Sequence, residues 1–196
     1  MNPINSISTL NSLSKMDSNM IEYFVDDEQN QFWHQNGQLH REDGPAIIRK
    51  DGTQIWYQNG QYHRKDGPAI FWENGNQEWY KNGKCHREDG PAMIVYDGTQ
   101  YWFKNGKKHR EDGPAEIFPD GIQRWFKNGK KHREYGPACI YPNGTKIWYQ
   151  NGKCHREDGP AVVKHDGTKE WYKNGIQFKP FEKFNINTKF SIKEGF

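Results

Sequence analysis

Six histidines recur in the chain at a constant step, and histidine is a common ligand of metal ions and a common proton carrier. Each one begins the segment His-Arg-x-x-Gly-Pro-Ala, whose middle residues are Glu-Asp in four copies. The six are His40, His63, His86, His109, His132 and His155. A metal site needs several ligands within about 2 Å of one ion, and one loop supplies too few of them. With two strands per repeat, equivalent histidines lie about 9–10 Å apart. We therefore predict no metal ligand and a local role, with His and Arg held between an Asn-Gly turn and the Glu-Asp carboxylates.

The repetition of these residues from unit to unit also argues against a catalytic site. No Ser or Cys stands in a distinct nucleophile context, and the Glu-Asp pairs are repeated where an active site needs one tuned acid and one tuned base. The glycines lie in turns and never in a run that cradles phosphate. We predict no catalytic residue, no cofactor and no enzymatic activity.

Tryptophan reveals the elements that position these loops. Seven tryptophans are separated by steps of 23 residues, and each is followed by an aromatic residue or His, then Gln or Lys, then Asn-Gly. They are Trp33, Trp56, Trp79, Trp102, Trp125, Trp148 and Trp171. A fixed period of this length is typical of a repeat architecture in which each unit covers its neighbour's apolar surface.

Two turns divide each unit. Asn-Gly follows the tryptophan and Asp-Gly or Asn-Gly closes the unit, and in both dipeptides each residue tolerates the positive φ of a tight hairpin turn. They separate two predicted strands, of the types Ala46 to Arg49 and Gln54 to Tyr57. The prediction is an all-β fold: an elongated, solenoid-like, single-layer antiparallel sheet of stacked β-hairpin repeats with a 23-residue period.

Alternation along the strands assigns their faces. The Ala position and the position two residues later stay small or apolar in every copy, so both are predicted to face the packed side. The position between them varies widely, from Ile47 to Glu116 to Cys139, and is predicted to be more exposed. Residues 1–20 form a predicted flexible tail, and residues 21–178 form the repeat domain, with about six full repeats and partial ends. Residues 179–196 form a predicted cap with a hairpin at Asn187-Thr188.

Composition limits the class of protein further. The chain has 196 residues, 15% of them aromatic, and a net charge of +3, which is too small to argue for nucleic acid. No apolar run reaches the roughly 18 residues of a transmembrane helix.

Cys85 and Cys154 are three repeats apart, so three unpaired thiols and a reducing, cytoplasmic location are expected. The frequent use of Asn, Lys and Ile suggests an AT-rich genome such as that of a large DNA virus. For a viral protein, the expected location is the host cytoplasm or the virion.

Basic residues gather in two neighbouring copies. Eight of them are predicted to align along one rim that can meet phosphate or acidic protein. They are Lys104, Lys107, Lys108, Arg110, Lys127, Lys130, Lys131 and Arg133. Carboxylates such as Glu111, Asp112 and Asp120 are interleaved with them, which favours an ordinary solvated edge.

The runs Tyr80-Lys-Asn-Gly-Lys-Cys-His86 and Phe103-Lys-Asn-Gly-Lys-Lys-His109 resemble the MORN repeat, in particular the variant MORN repeats of bacterial antitoxin-like and large-DNA-virus proteins. The resemblance covers about residues 22–178. The His-Arg-Glu-Asp-Gly-Pro-Ala segment replaces the family's shorter His-Gly-x-Gly. The resemblance implies stacked hairpins, scaffolding or partner binding, contact with phospholipid in some members, and no catalytic residues.

We therefore expect a non-catalytic scaffold that mediates protein–protein interaction or self-association. The alternative is a module that binds phospholipid at a membrane surface through the lysine-rich rim. The repeated loops, present at a constant step, favour multivalent contact with a protein partner.

Overall fold

The computed structural model describes residues 20–180, which contain 26 β-strands and no helix. The predicted tail within residues 1–19 and the predicted hairpin at Asn187-Thr188 lie outside the described residues. The chain divides into two compact units, Met1–Lys84 and Cys85–Phe196. The strand β11 (Lys84–Cys85) falls at the boundary between them.

The first unit contains one antiparallel main sheet and one separate hairpin. The main sheet has the order β1-β2-β4-β5-β8-β9, with β3 paired to the far end of β2, and β6 pairs with β7. The strands are β1 (Ile21–Val25), β2 (Gln31–Gln35), β3 (Gln38–Leu39), β4 (Ile47–Ile48), β5 (Gln54–Ile55), β6 (Tyr57–Gln58), β7 (Gln61–Tyr62), β8 (Ile70–Phe71), β9 (Gln77–Glu78) and β10 (Tyr80–Lys81).

The second unit repeats the pattern. Its main sheet has the order β12-β13-β16-β17-β20-β21-β24-β25-β26, and its side hairpins are β14-β15, β18-β19 and β22-β23. The strands are β12 (Met93–Ile94), β13 (Gln100–Tyr101), β14 (Phe103–Lys104), β15 (Lys107–Lys108), β16 (Glu116–Ile117), β17 (Gln123–Arg124), β18 (Phe126–Lys127), β19 (Lys130–Lys131), β20 (Cys139–Ile140), β21 (Lys146–Ile147), β22 (Tyr149–Gln150), β23 (Lys153–Cys154), β24 (Val162–Val163), β25 (Lys169–Lys173) and β26 (Ile176–Phe178).

The prediction of an all-β antiparallel fold of hairpin repeats is confirmed, but the number of strands per repeat is not two. A full repeat has four two-residue strands, because the chain leaves the main sheet at its tryptophan, whereas β2 and β25 at the two ends continue through Trp33 and Trp171. The N–H of Trp102 donates to the Ala115 carbonyl in the main-sheet ladder (2.8 Å), whereas its carbonyl accepts the His109 N–H in the side-hairpin ladder (3.1 Å). One residue thus serves two ladders, and the predicted strand through tryptophan is broken there.

The Asn-Gly turns are confirmed. Asn105 and Gly106 both have positive φ, 51° and 77°, as a two-residue hairpin turn requires. In the Asp-Gly turns only the glycine does so: Gly98 has a φ of 89°, whereas Asp97 stays in the ordinary region and its carboxylate accepts the Thr99 N–H at 2.8 Å. The prediction of positive φ at this Asp was wrong, because its carboxylate caps the turn instead.

The core lies where the side hairpin covers the main sheet. Ile47, Ile55 and Ile70 are buried, and Leu39 and Tyr57 pack against them. The alanine positions are buried, as predicted. The prediction for the next two positions was wrong: the variable position is the buried one, as Ile47, Ile70, Glu116, Cys139 and Val162 show. The position after it is only half-buried at Ile48 and is exposed at Phe71.

Candidate interaction surface

The His-Arg-x-x-Gly-Pro segments form hydrogen-bonded loops beside the tryptophans. In the second unit, the Arg110 guanidinium carbon lies 4.1 Å from the centre of a Trp102 ring. Arg110 Nε donates to Asp112 Oδ1 at 2.8 Å, and its Nη1 donates to the Pro114 carbonyl at 3.4 Å. A Cβ on Gly113 would lie 3.0 Å from the Arg110 Cζ, so a larger residue there would push the guanidinium from this position. One arginine therefore joins the loop, its carboxylate and the tryptophan.

The arginine–tryptophan contact recurs through both units. The corresponding distances are 4.1 Å for Arg41 on Trp33, 3.8 Å for Arg64 on Trp56, 3.9 Å for Arg133 on Trp125 and 4.2 Å for Arg156 on Trp148. Hydrogen bonds from the neighbouring arginine hold the pKa of four loop aspartates below the usual value; these are Asp43, Asp89, Asp112 and Asp158. The predicted role of the Glu-Asp segment as partner of the arginine is confirmed for these loops.

The repeated histidines connect one repeat to the next. His109 Nδ1 accepts the Asn128 N–H at 3.1 Å and also lies 3.0 Å from Asn128 Oδ1, while Nε2 lies 3.3 Å from Glu111 Oε1. Asn128 belongs to the Asn-Gly turn of the following repeat, which the sequence did not identify as the partner. The same N–H bond joins Asn59 to His40 (3.2 Å), Asn82 to His63 (3.3 Å), Asn105 to His86 (3.1 Å), Asn151 to His132 (3.1 Å) and Asn174 to His155 (3.0 Å).

The eight predicted rim residues separate into three groups. Arg110 and Arg133 lie on tryptophans, while Lys108 and Lys131 are half-buried and contact aromatic rings. The other four are exposed at the ends of side hairpins, and we call them the tip lysines: Lys104, Lys107, Lys127 and Lys130. They form like-charged cross-strand pairs, with Lys104 opposite Lys107 and Lys127 opposite Lys130. The predicted continuous rim of eight residues is therefore reduced to these two pairs.

The buried carboxylate of Glu116 was not predicted from the sequence. The Glu116 side chain is only 4% exposed and binds two cations: Lys108 Nζ contacts Oε1, and Arg124 Nη1 donates to Oε2 at 3.1 Å. Burial alone would lower the pKa of Arg124, but the hydrogen bond to Glu116 raises it. The sequence contains one indication of this site: Glu116 is charged, whereas the equivalent position holds Ile47 in the first repeat and Ile70 in the next.

The cysteine side chains lie in or near the core as free thiols of low reactivity. All three cysteines are free, as predicted, with Cys85 and Cys139 buried and Cys154 half-buried. Burial raises the pKa of Cys139, and it raises that of Cys154 to about 11. Thiolate, the reactive form, is therefore scarce at neutral pH.

Residues 20–180 contain neither a cluster of metal-ligating side chains nor a membrane-spanning helix. Nowhere in this range do three or more His, Cys, Asp or Glu side chains come together in a group that could hold a metal ion. The same range contains no helix with the length and apolar character needed to cross a membrane.

Clefts separate successive loops. Cleft A, about 810 Å³, lies between residues 86–91 and 109–112 and is lined by Trp102 and Lys104 as well. Cleft B, about 160 Å³, lies between residues 109–111 and 132–134 and is lined by Trp125 and Lys127. The first unit has a similar cleft of about 560 Å³ between residues 41–44 and 63–66.

Fold and surface together define an all-β repeat protein whose loops and clefts recur at a constant step. Comparison of the chain with known proteins finds no matching family model and no matching curated protein.

Proposed function

We propose that this protein is a non-catalytic, MORN-like repeat scaffold whose loop surface engages protein partners. The observation that carries the proposal is the recurrence of one loop design, in which arginine lies on tryptophan beside exposed carboxylates. A repeated surface of this kind suits contact at several points at once.

The loops are organised in advance for binding. In the loop of residues 109–114, Arg110 is fixed by the Trp102 ring and by the Pro114 carbonyl, and His109 is fixed between Glu111 and the next repeat. The carboxylates remain accessible, with the Asp112 side chain 82% exposed. Little conformational entropy is lost when such a surface binds, which favours affinity.

Affinity purification from the native source tests this function. The loop variant carries Glu88→Gln, Asp89→Asn, Glu111→Gln and Asp112→Asn. The control carries Asp97→Asn and Asp120→Asn, which neutralise carboxylates at the Asp-Gly turns instead. We expect wild type and control to retain the same partner and the loop variant to lose it. A wild-type protein that sediments as a monomer and retains no partner would refute the scaffold function.

A second candidate function is binding to an anionic membrane surface through the tip lysines. Two like-charged cross-strand pairs cost stability, yet these four side chains have no ion pair with a carboxylate among the described residues. Uncompensated lysines on an exposed edge attract anionic lipid headgroups, at about 1 kcal/mol per residue near the surface.

Vesicle sedimentation separates this candidate from the first. The side hairpin of β6 and β7 carries glutamines at the equivalent positions, Gln58 opposite Gln61, so replacing the four tip lysines by glutamine introduces residues that another repeat already has there. We expect wild type to bind phosphatidylserine vesicles at low salt, to dissociate as salt rises, and to ignore phosphatidylcholine vesicles. Equal binding by the four-glutamine variant, or no binding at low ionic strength, would exclude the candidate. Lys146→Gln with Lys169→Gln provides the control for lost charge.

A further inference from the structure

One loop departs from the common design. Tyr135 stands where the five other loops have aspartate, and it is 86% exposed. Gly136 has a φ of +107°, whereas Gly113 in the preceding loop does not have a positive φ. The substitution therefore places a large aromatic side chain on the surface and changes the course of the loop.

The arginine of this loop lacks the aspartate that forms an ion pair with Arg41, Arg87, Arg110 and Arg156 in their own loops. Arg133 lies 3.9 Å above Trp125, and its Nη1 donates to the Pro137 carbonyl at 3.2 Å. In the loops of Arg110 and Arg156, Nε donates to an aspartate, but position 135 offers none. Burial lowers the pKa of Arg133 with no carboxylate opposing it. The guanidinium keeps its fork-shaped donor edge for a carboxylate from outside the loop.

The two clefts beside the loop of residues 109–112 differ in the sign of their net charge. Cleft A is lined by three cationic residues and four carboxylates: Arg87, Lys104 and Arg110 against Glu88, Asp89, Glu111 and Asp112. Cleft B is lined by three cationic residues and two carboxylates: Arg110, Lys127 and Arg133 against Glu111 and Glu134. A net negative cleft and a net positive cleft thus share the loop of residues 109–112.

We propose that a second copy of this chain docks on these two clefts, antiparallel to the first, with a twofold axis at the loop of residues 109–112. In this arrangement cleft A of each copy faces cleft B of the other. Tyr135 of one copy enters the roomier cleft A of its partner, and Arg133 meets the carboxylate of Asp89 there. Both contacts occur twice, as in an isologous dimer.

The charges select this arrangement over its alternatives. A parallel pairing would set cleft A against cleft A and cleft B against cleft B, so that like charges meet. An exposed tyrosine beside an arginine is also the combination that carries much of the binding energy in protein interfaces. The inference rests on the proposed scaffold function and names its partner as a second copy.

Sedimentation equilibrium of the full chain tests the docking. Tyr135→Asp restores the residue of the other loops, so the variant is expected to fold. We expect a concentration-dependent dimer that weakens with salt and whose dissociation constant rises about tenfold or more in Tyr135→Asp. Tyr96→Asp, a change at another exposed tyrosine, should leave it unaltered. A monomer at every concentration, or equal effects of the two changes, would overturn the inference.

Oxidative cross-linking tests the axis. A copy with Asp112→Cys should cross-link to itself, because this loop lies on the axis. A mixture of Asp89→Cys and Tyr135→Cys copies should cross-link to each other more than either does alone, after subtraction of the wild-type background. Self-linking of Tyr135→Cys in preference to the mixture overturns the antiparallel arrangement. Failure of dimerisation leaves partner capture by the loops intact, so the two proposals fail separately.

Discussion

His109 and Asn128 lie 19 residues apart in the chain, yet Nδ1 of the histidine accepts the backbone N–H of the asparagine at 3.1 Å. The bond joins the loop of one repeat to the hairpin turn of the next. Beside it, the Gly129 N–H donates to the Lys108 carbonyl at 2.8 Å. In the last copy Phe178 replaces the histidine, and no Asn-Gly dipeptide follows it in the sequence. The histidine is therefore present where a following turn exists for it to hold.

Replacing this histidine should destabilise the protein. His109→Ala leaves the Asn128 N–H without its acceptor and Glu111 without its donor, and we expect a loss of about 1–3 kcal/mol in the free energy of unfolding. Urea unfolding followed by tryptophan fluorescence measures this change. His165→Ala, at an exposed histidine outside the repeated series, should cost much less. Equal losses in the two variants would contradict the connecting role.

The buried carboxylate gives a second prediction. Glu116→Ile leaves Lys108 and Arg124 without their shared anion, and we expect it to cost about 3 kcal/mol. The triple change Lys108→Leu, Glu116→Ile and Arg124→Ile installs the residues of the first repeat, and it should recover that loss, because a packed apolar set replaces an ion pair well. Chemical denaturation of the single and triple variants provides the comparison. A triple variant less stable than the single one would show that the charges themselves stabilise the fold.

Lowering the pH should reduce the contribution of the loop aspartates to the stability of the fold. Hydrogen bonds from Arg87 and Arg110 hold the pKa of Asp89 and Asp112 below the ordinary 3.8 in the folded protein. Their contribution to stability is therefore full at neutral pH and is lost as the pH falls through the lowered pKa. The test compares the urea midpoint of unfolding at about pH 7 with that at about pH 3. We expect the difference between these two midpoints to be smaller in the double variant Asp89→Asn with Asp112→Asn than in wild type. An unchanged difference would argue against these two ion pairs.

The thiols should respond to a disulfide reagent in a defined order. Cys139 is fully buried and its pKa is raised, whereas Cys154 is half-buried with a pKa of about 11. In the native protein at about pH 8 we expect slow reaction at Cys154 and no reaction at Cys139 until unfolding exposes it. Mass spectrometry of the modified peptides identifies the order, and denatured protein, in which all three thiols react, is the control. Fast labelling of Cys139 would contradict the burial of β20.

Much of the local structure followed from the sequence because it depends on neighbours within a few residues. Asn105 and Gly106 adopt positive φ since few other residue pairs do so at low cost, and the tryptophan period indicated a repeat. The arginine–aspartate pairing within a loop was predictable for the same reason. The break at Trp102 was not, because it depends on the Ala115 carbonyl just before the next main-sheet strand.

The sequence by itself determined the all-β class, the 23-residue period, the hairpin turns and the free thiols, which follow from backbone stereochemistry and spacing. Only the tertiary structure decided which face is buried, because the side hairpin covers the variable position and leaves Phe71 exposed. It also decided that Glu116 lies between Lys108 and Arg124, and that His109 binds the turn beyond its own repeat. These partners are chosen by the stacking of one repeat's hairpin against its neighbour's sheet, which alternation within a single strand does not encode.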